Sequence, residues 1–508
     1  MTTETKQVRK NLLFNILSLV ANIVIGIFYT PYLVKSLGIV AYGVLPLALI
    51  VNQYVSVVTG SLTGALTRFY TIALQKGDKE EASKYLNTSL VVIFAIILVL
   101  IIPLWYLAIN VENIFTIPEE LVADAKLLFI FTILSFFISL FSSVFNITLY
   151  AFNRLDLLNV IKIIRVSGKF IFIISLFSVL DINISHVGLA SFITEFILLF
   201  FSIWVFYRFS SGKVNLALRH YDSLSFQAVG VMALWTIVHQ IGDTGLYRID
   251  NVLVNMFWSS KESGILGAFE EMGTYAIIVT SVVSSLFGPL ILIAYSNNDH
   301  RQVQELSLDR SLSIGVLVAV MIGIIGGFSP IILKIWLGEE FVSYNSWLLL
   351  KIALVPFYAA AGVFSFATRA WNKVRFPALI TVVFGFVNFA ILYLLAKLSN
   401  GSLNYVEVML AVGLFLGVAQ SYFLNGLYFS KYYPGTRKTV VVNFFKILFV
   451  LVVVGSIGIL LSPIMMTLSD LWSLVAISAI SLVVLAASLK IVLNNRQLGS
   501  IIELVYKK

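Results

Sequence analysis

Lys162, Arg165 and Lys169 recur three and four residues apart in an otherwise apolar stretch, a spacing that places all three on one face of a helix. Such a ladder gives an anionic group somewhere to rest. Farther along, His239, Asp243, Arg248 and Asp250 fall within one apolar segment. At 100° per residue His239, Asp243 and Asp250 share a face, while Thr244, Arg248, Asn251 and Asn255 gather on nearly the opposite one. Gly242 and Gly245 offer a place for a local break. Glu270 and Glu271 are adjacent but out of phase. Glu271 shares a stripe with Gly267, Thr274, Ser281 and Ser285, whereas Glu270 sides with Leu266 and Ile277. Glu195 aligns with Gly188, Ser191 and Ser202, and Arg68 with Ser61, Gly64 and Thr71. Desolvated carboxylates hold protons more tightly and trade them near neutral pH, so Glu195, Asp243, Asp250 and Glu271 are the candidates for coupling to protons or sodium. Each set also has a plainer reading. Lys162 and Arg165 can snorkel to head groups, the polar stripes can serve close helix packing, and Arg68 can be a topology anchor.

The elements that carry these residues follow from composition. Of 508 residues, 59% are hydrophobic and 12% charged, and mean hydropathy is +0.98. Soluble domains run at about 45–50% apolar and about 25% charged, so the chain reads as an all-α polytopic membrane protein. With each crossing taking about 20 apolar residues, apolar runs predict fourteen transmembrane segments. They begin near Asn11, Tyr42, Tyr85, Val122, Leu157, His186, Phe226, Gly264, Ser311, Asn345, Phe376, Tyr405, Thr439 and Leu471. Lys6, Arg9 and Lys10 precede a run that reads as a first span rather than a cleaved signal. Lys169 then sits about 12 residues, roughly 18 Å, from either end of the fifth segment, out of snorkelling reach. Charge at such depth costs about 2.5–3.5 kcal/mol on insertion scales and marks function by default.

An even number of segments puts both termini on one side. Basic residues in short connections stay cytosolic, and with the N-terminus inside, 25 of the 34 Lys and Arg fall at inner ends. The outer ends hold only Lys35, Lys126, Lys261, Lys334, Lys351 and Lys397. Both termini are therefore expected in the cytosol. The net charge of +9 fits anionic lipid head groups rather than nucleic acid. There is no cysteine, and the four histidines make no zinc pattern. No GxxxxGK[ST] or GxGxxG motif is present, and no connection is long enough for a soluble catalytic domain. The chain is expected to have no enzymatic activity, catalytic residue, metal or cofactor, with proton or sodium coupling as an option.

A shift of 221 residues superposes Gly43 on Gly264, Leu45 on Leu266, Tyr54 on Tyr275, Ala73 on Ala294 and Asp78 on Asp299. The clusters Lys76-Gly77-Asp78 and Asn297-Asn298-Asp299 then close equivalent helices. A shift of 219 lays Phe152-Asn153-Arg154 on Trp371-Asn372-Lys373 and pairs the basic ladder with Thr381, Phe384 and Asn388. Six-helix repeats of one orientation predict two lobes related by a parallel pseudo-two-fold axis. The domains are expected at 1–210 (N-lobe), 211–434 (C-lobe) and 435–508 (two C-terminal helices and a cytosolic tail).

Pro31-Tyr32-Leu33-Val34-Lys35-Ser36-Leu37-Gly38 followed by Tyr42-Gly43 resembles the first-helix signature of polysaccharide transporters, the Wzx-type flippases of the multidrug/oligosaccharidyl-lipid/polysaccharide exporter superfamily. Leu66-Thr67-Arg68, Ile249-Asp250-Asn251-Val252-Leu253-Val254 and Ser263-Gly264-Ile265-Leu266 are similar to further motifs of that family. Where the family often has a basic residue after the aspartate, this chain has Asn251, with Arg248 close by. The resemblance implies two lobes around a central cavity. It also implies alternating-access translocation of a polyprenyl-pyrophosphate-linked oligosaccharide from the cytosolic to the outer leaflet of the cell (inner) membrane, in surface polysaccharide or O-antigen assembly. Membrane lipids would be its partners, with other polysaccharide-assembly proteins as further candidates. On this reading Arg68, Arg165, Lys169 and Arg248 contact phosphate and sugar. The alternatives are a cation-coupled multidrug exporter of the same fold, against which the basic ladder and extra helix pair count, and a membrane glycosyltransferase or polymerase, against which the short outer connections count.

Overall fold

The computed structural model describes residues 3–49, 70–71, 73–74, 76–210, 238–285, 291, 294–295, 297–371, 373 and 375–492, and among them every regular element is helical. In chain order the helices are α1 (Thr3–Leu37), α2 (Ile39–Tyr42), α3 (Lys79–Ile109), α4 (Val122–Ala151), α5 (Leu155–Val179), α6 (Ile184–Ser210), α7 (Ile249–Phe257), α8 (Ser260–Ser285) and α9 (His300–Gly327). They continue with α10 (Ser329–Trp336), α11 (Asn345–Ile352), α12 (Val355–Ala370), α13 (Arg375–Leu398), α14 (Asn404–Val418), α15 (Asn425–Tyr432), α16 (Arg437–Met465) and α17 (Asp470–Val492). Among the described residues ten helical stretches are long and apolar enough to cross a membrane. Two more helices have spanning length, α5 with 25 residues and α8 with 26. Their charged residues, the basic ladder in one and the glutamates in the other, keep them outside a purely compositional definition. The expected second segment falls largely outside the described residues, and the seventh is described from residue 238 onward.

The chain divides into two compact units, Met1–Thr244 with Asn251–Gly264, and Gly245–Asp250 with Ile265–Lys508. In the first, α4 packs along α6, α5 lies against both α1 and α6, and α3 covers α4. Leu149, Ile161, Leu198 and Val205 form a buried cluster among α4, α5 and α6. In the second, α9 is central and packs against α12, α16 and α17. Gly315, Ala319, Gly323 and Gly327 recur every four residues on α9. A Cβ at Gly327 would stand 2.7 Å from the Cα of Gly458 on α16. Small residues thus let the two backbones meet, the usual source of helix affinity where both partners are apolar.

Each unit carries turns built alike. Gly77 (φ 78°) and Asn298 (φ 57°) both adopt the left-handed region. In both turns the next aspartate donates its N–H five residues back, Asp78 to Ala73 and Asp299 to Ala294, each at 3.0 Å. Each aspartate then caps the following helix, Asp78 accepting from the Glu81 N–H and Asp299 from the Gln302 N–H. Arg154 donates to Leu149 O and Lys373 to Thr368 O in the same way. These turns are the ones that the 221- and 219-residue shifts superpose.

Ahead of the apolar run of α5, the buried carboxylate of Asp156 (1% exposed) accepts from Arg154 Nε at 2.9 Å and Nη2 at 3.0 Å, from Gln7 Nε2 at 2.9 Å, and pairs with Lys10 Nζ at 3.0 Å. Its backbone N–H donates to Asn11 Oδ1 at 2.9 Å. Burial pushes the Asp156 carboxyl up, but the Arg154 and Lys10 bonds prevail and hold it well below the usual carboxylate range. A carboxylate held low in the fold stabilises it fully above the unfolded value of about 3.9, and that contribution is lost only as pH falls through the depressed value. Asp156→Ala is therefore expected to cost about 2 kcal/mol, by an amount that does not change between pH 8 and pH 5 when melting of the purified protein is followed.

Candidate charge centres in two units

Two charge centres stand inside the helical bundles, one in each unit. In the first, Arg165 on α5 reaches Glu195 on α6. Its Nε donates to Oε1 at 2.5 Å and its Nη2 to Oε2 at 3.1 Å, while Nη2 also lies 3.5 Å from the Ser139 hydroxyl of α4. The two N–H groups of the planar fork face both carboxylate oxygens, the geometry that also fits phosphate. Glu195 is nearly buried, its side chain 10% exposed, whereas that of Arg165 is 38% exposed. Glycine eases the approach, since a Cβ at Gly168 would stand 3.3 Å from the Thr194 methyl on α6. One turn after Arg165, Lys169 holds its ammonium 5.3 Å from the ring centre of Tyr29 on α1. Tyr29 and Tyr32 pack edge-on against Phe170, which fixes the ring that the ammonium covers. A cation over an aromatic face gains about 0.5–2 kcal/mol and keeps its charge open to a further partner. Among the described residues no carboxylate pairs with Lys169. Lys162, one turn earlier, is exposed.

The second centre begins with a broken helix. Residues 238–247 are helical, Arg248 is a turn, and α7 restarts at Ile249. Backbone carbonyls at such an end need donors, and two other helices bring them. Asn388 Nδ2 on α13 donates to Gly245 O and Leu246 O, both at 3.1 Å, and Lys351 Nζ on α11 donates to Tyr247 O at 3.2 Å. The same ammonium lies 2.5 Å from Asp250 Oδ2 and 2.7 Å from Glu270 Oε1. Three oxygens thus surround one ammonium whose side chain is 12% exposed. Arg248 adds a favourable Coulomb interaction with Glu270. Tyr247 is tied in as well, its hydroxyl donating to Gln420 Oε1 at 3.0 Å, while Gln420 Nε2 donates to Thr381 Oγ1 at 2.6 Å. Gln420 belongs to a π-helical turn, Ala419–Leu424, between α14 and α15. Thr381 and Asn388, the positions matched to Lys162 and Lys169 by the 219-residue shift, are thus uncharged hydrogen-bonding residues.

The residues singled out from sequence distribute unevenly over these centres. Arg165 and Glu195 meet directly, Lys169 is one turn away, and Asp250 and Arg248 belong to the second centre. Arg68 lies outside the described residues. Asp243 and Glu271 are half-buried, each with interactions of its own. Of the adjacent glutamates it is Glu270 that reaches Lys351. Lys351 is the functional candidate that charge sorting missed: counted among the outer ends, it is largely enclosed and doubly ion-paired. Its position, six residues past the predicted start of a span at Asn345, is the signal that sets it apart from a head-group anchor. The segment-seven polar face resolves into packing at Asn251 and Asn255. Asn251 accepts from the Ser263 hydroxyl at 2.6 Å, and Asn255 accepts from the Thr116 N–H at 3.0 Å.

No family model matches the chain. An uncharacterized membrane protein of Bacillus subtilis (strain 168), EpsK, is 25% identical over 413 residues, covering 79% of each chain. Among solved structures, the lipid II flippase MurJ in an inward closed conformation superposes with a TM-score of 0.70 over 94% of this chain and 98% of its own, at 17% identity. An inward-facing multidrug resistance MATE family transporter of the MOP superfamily gives 0.64 at 14% identity, over 82% and 95%. The MATE transporter VcmN of Vibrio cholerae, in its bent form, gives 0.56 at 15% identity, over 87% and 99%. The chain is a multi-pass helical membrane protein with the fold these transporters share.

Proposed function

We propose that the protein is a flippase that carries a polyprenyl-pyrophosphate-linked oligosaccharide from the cytosolic to the outer leaflet of the cell membrane by alternating access. The reading is supported by the basic face of α5 and above all by Lys169. An ammonium at mid-bilayer is costly to a helix, and here the ammonium rests on the Tyr29 ring, leaving its charge for a mobile anion. Arg165 supplies a fork suited to phosphate, and Arg68 and Arg248 are the remaining proposed sugar or phosphate contacts. The lobes are taken as 1–210 and 211–434 with 435–508 appended, and both termini as cytosolic. The fold shared with the lipid II flippase MurJ and the 25% identity to EpsK are compatible with a lipid-linked substrate. Asp243, Asp250 and Glu271 are the proposed sites for proton or sodium coupling in addition to Glu195.

A strain lacking the protein tests the reading. Glycan is expected to accumulate on the polyprenyl carrier in the inner leaflet; normal glycan display together with raised drug sensitivity would instead favour a drug exporter. Within the protein, Lys169→Ala is expected to lower glycan export at least tenfold, the worth of about 1.5 kcal/mol for a hydrogen bond to a charged group, at unchanged membrane abundance. Lys169→Arg should retain most of the export. Undiminished export in the alanine variant would remove Lys169 from the route.

A further inference from the structure

We propose that Glu195 is the resident anion of the phosphate site: it occupies the fork of Arg165 when no substrate is bound, is displaced by the arriving pyrophosphate, and takes up a proton as it leaves. The inference rests on the flippase reading above and adds a means of coupling to it.

The geometry supplies each step. Glu195 meets Arg165 through two hydrogen bonds at 2.5 and 3.1 Å, the bidentate arrangement in which a carboxylate and a phosphate are interchangeable partners. Arg165 is open to an incoming ligand on its exposed side, while Glu195 is closed in. A pyrophosphate that engages the guanidinium must compete with this carboxylate for the same N–H groups.

Once displaced, Glu195 has little else to hold its charge. On α5 the other cations are Lys162 and Lys169, one turn to either side of Arg165 and on the same face as the substrate's landing place. From α4 the neighbouring group is the Ser139 hydroxyl; the charges of α4 itself, Asp124 and Lys126, stand 15 and 13 residues away from Ser139, roughly 20 Å along the axis. His186, on α6 with Glu195, is nine residues off. A lone carboxylate in apolar surroundings neutralises rather than stay ionised. The proton comes from the buffered solvent, the carboxylate becomes a carboxylic acid, and Arg165, still charged, pairs with the phosphate oxygens instead. When the lipid departs, Arg165 recaptures Glu195 and the proton is given back. Loading is thereby tied to uptake of one proton and unloading to its release.

The sign of the proton flow is diagnostic. An anion bound by arginine favours its own ionised form, so a pyrophosphate landing on a free guanidinium releases protons. Net uptake requires a protein group that gains one. The full-length protein in lipid nanodiscs is to be titrated calorimetrically at pH 7 with a polyprenyl pyrophosphate that carries no glycan, in buffers of different ionisation heat. Wild type is expected to take up about one proton per lipid and to bind about tenfold more tightly for each unit the pH is lowered. Glu195→Gln, with no charge to displace, should bind about tenfold more tightly at pH 7 and take up none. Equal affinity and equal proton count in both proteins would overturn the role of Glu195 while leaving the flippase reading in place. Absence of binding by either protein at any pH would overturn both. If Glu195→Gln does not fold, wild type alone decides: zero or outward proton flow on binding refutes the displacement.

Discussion

Replacing Lys351 with methionine is expected to cost the fold about 3–5 kcal/mol, the penalty for removing one partner from a buried ion pair. At about 2–4 °C per kcal/mol for a unit of a few hundred residues, the apparent melting temperature should fall by roughly 6 to 20 °C. The loss is large because a single ammonium serves three oxygens, the carboxylates of Asp250 and Glu270 and the carbonyl of Tyr247. Without it two like charges face each other and a helix end loses its donor. The test lies in compensation. Adding Asp250→Asn and Glu270→Gln to Lys351→Met should restore most of the melting temperature, since neutral polar groups can bond one another without a counter-ion. If the triple variant melts as low as the single one, the side chain of Lys351 matters through packing and not through charge.

Arg165→Ala is expected to cost about 3 kcal/mol, because it strands the nearly buried carboxylate of Glu195. The loss is at the low end of the range, Arg165 itself being partly solvated. Glu195→Gln should rescue the stability of Arg165→Ala but not its glycan export, which separates the part Arg165 plays in the fold from the part it plays toward a phosphate. Melting curves and export assays on the two single variants and the double variant form a thermodynamic cycle, with a coupling of roughly 1.5–3 kcal/mol expected for a charge-assisted pair. Export that recovers along with stability would show that Arg165 has no role beyond neutralising its partner.

Local features of this architecture are legible in the chain and long-range ones are not. The turns at Lys76-Gly77-Asp78 and Asn297-Asn298-Asp299 can be read because glycine or asparagine at a left-handed position followed by a capping aspartate is a short-range requirement. The face shared by Lys162, Arg165 and Lys169 follows from helical period alone. That Arg165 meets Glu195 depends on how α5 and α6 rotate against each other, a property of packing over 30 residues of separation. The glutamate pair meets the same limit in a different way. Helical phase favours Glu271, on the stripe of small polar residues, if polar stripes line polar space. Glu270 instead enters the charge centre from the stripe of Leu266 and Ile277, because a carboxylate that finds an ammonium belongs with the tightly packed side of its helix. The uniform 100° rule also fails across Arg248, where the helix breaks three residues beyond Gly245. Lys351 is hidden for a related reason: counting charges by connection assigns every basic residue near a helix end to the head groups, whatever lies beside it in space.

The wide turn at Ala419–Leu424 has a consequence for how this chain can change length. It accommodates one residue beyond what a regular helix would hold, and Gln420 uses the slack to reach both Thr381 and Tyr247. Excising a single residue there would let the turn close to ordinary helical spacing, with Phe429 still toward Phe364 and Trp371, whereas the same excision in a regular stretch would swing everything beyond it by about 100°. What such a shortened chain would give up is the slack itself, and with it the reach of Gln420 to Thr381 and Tyr247.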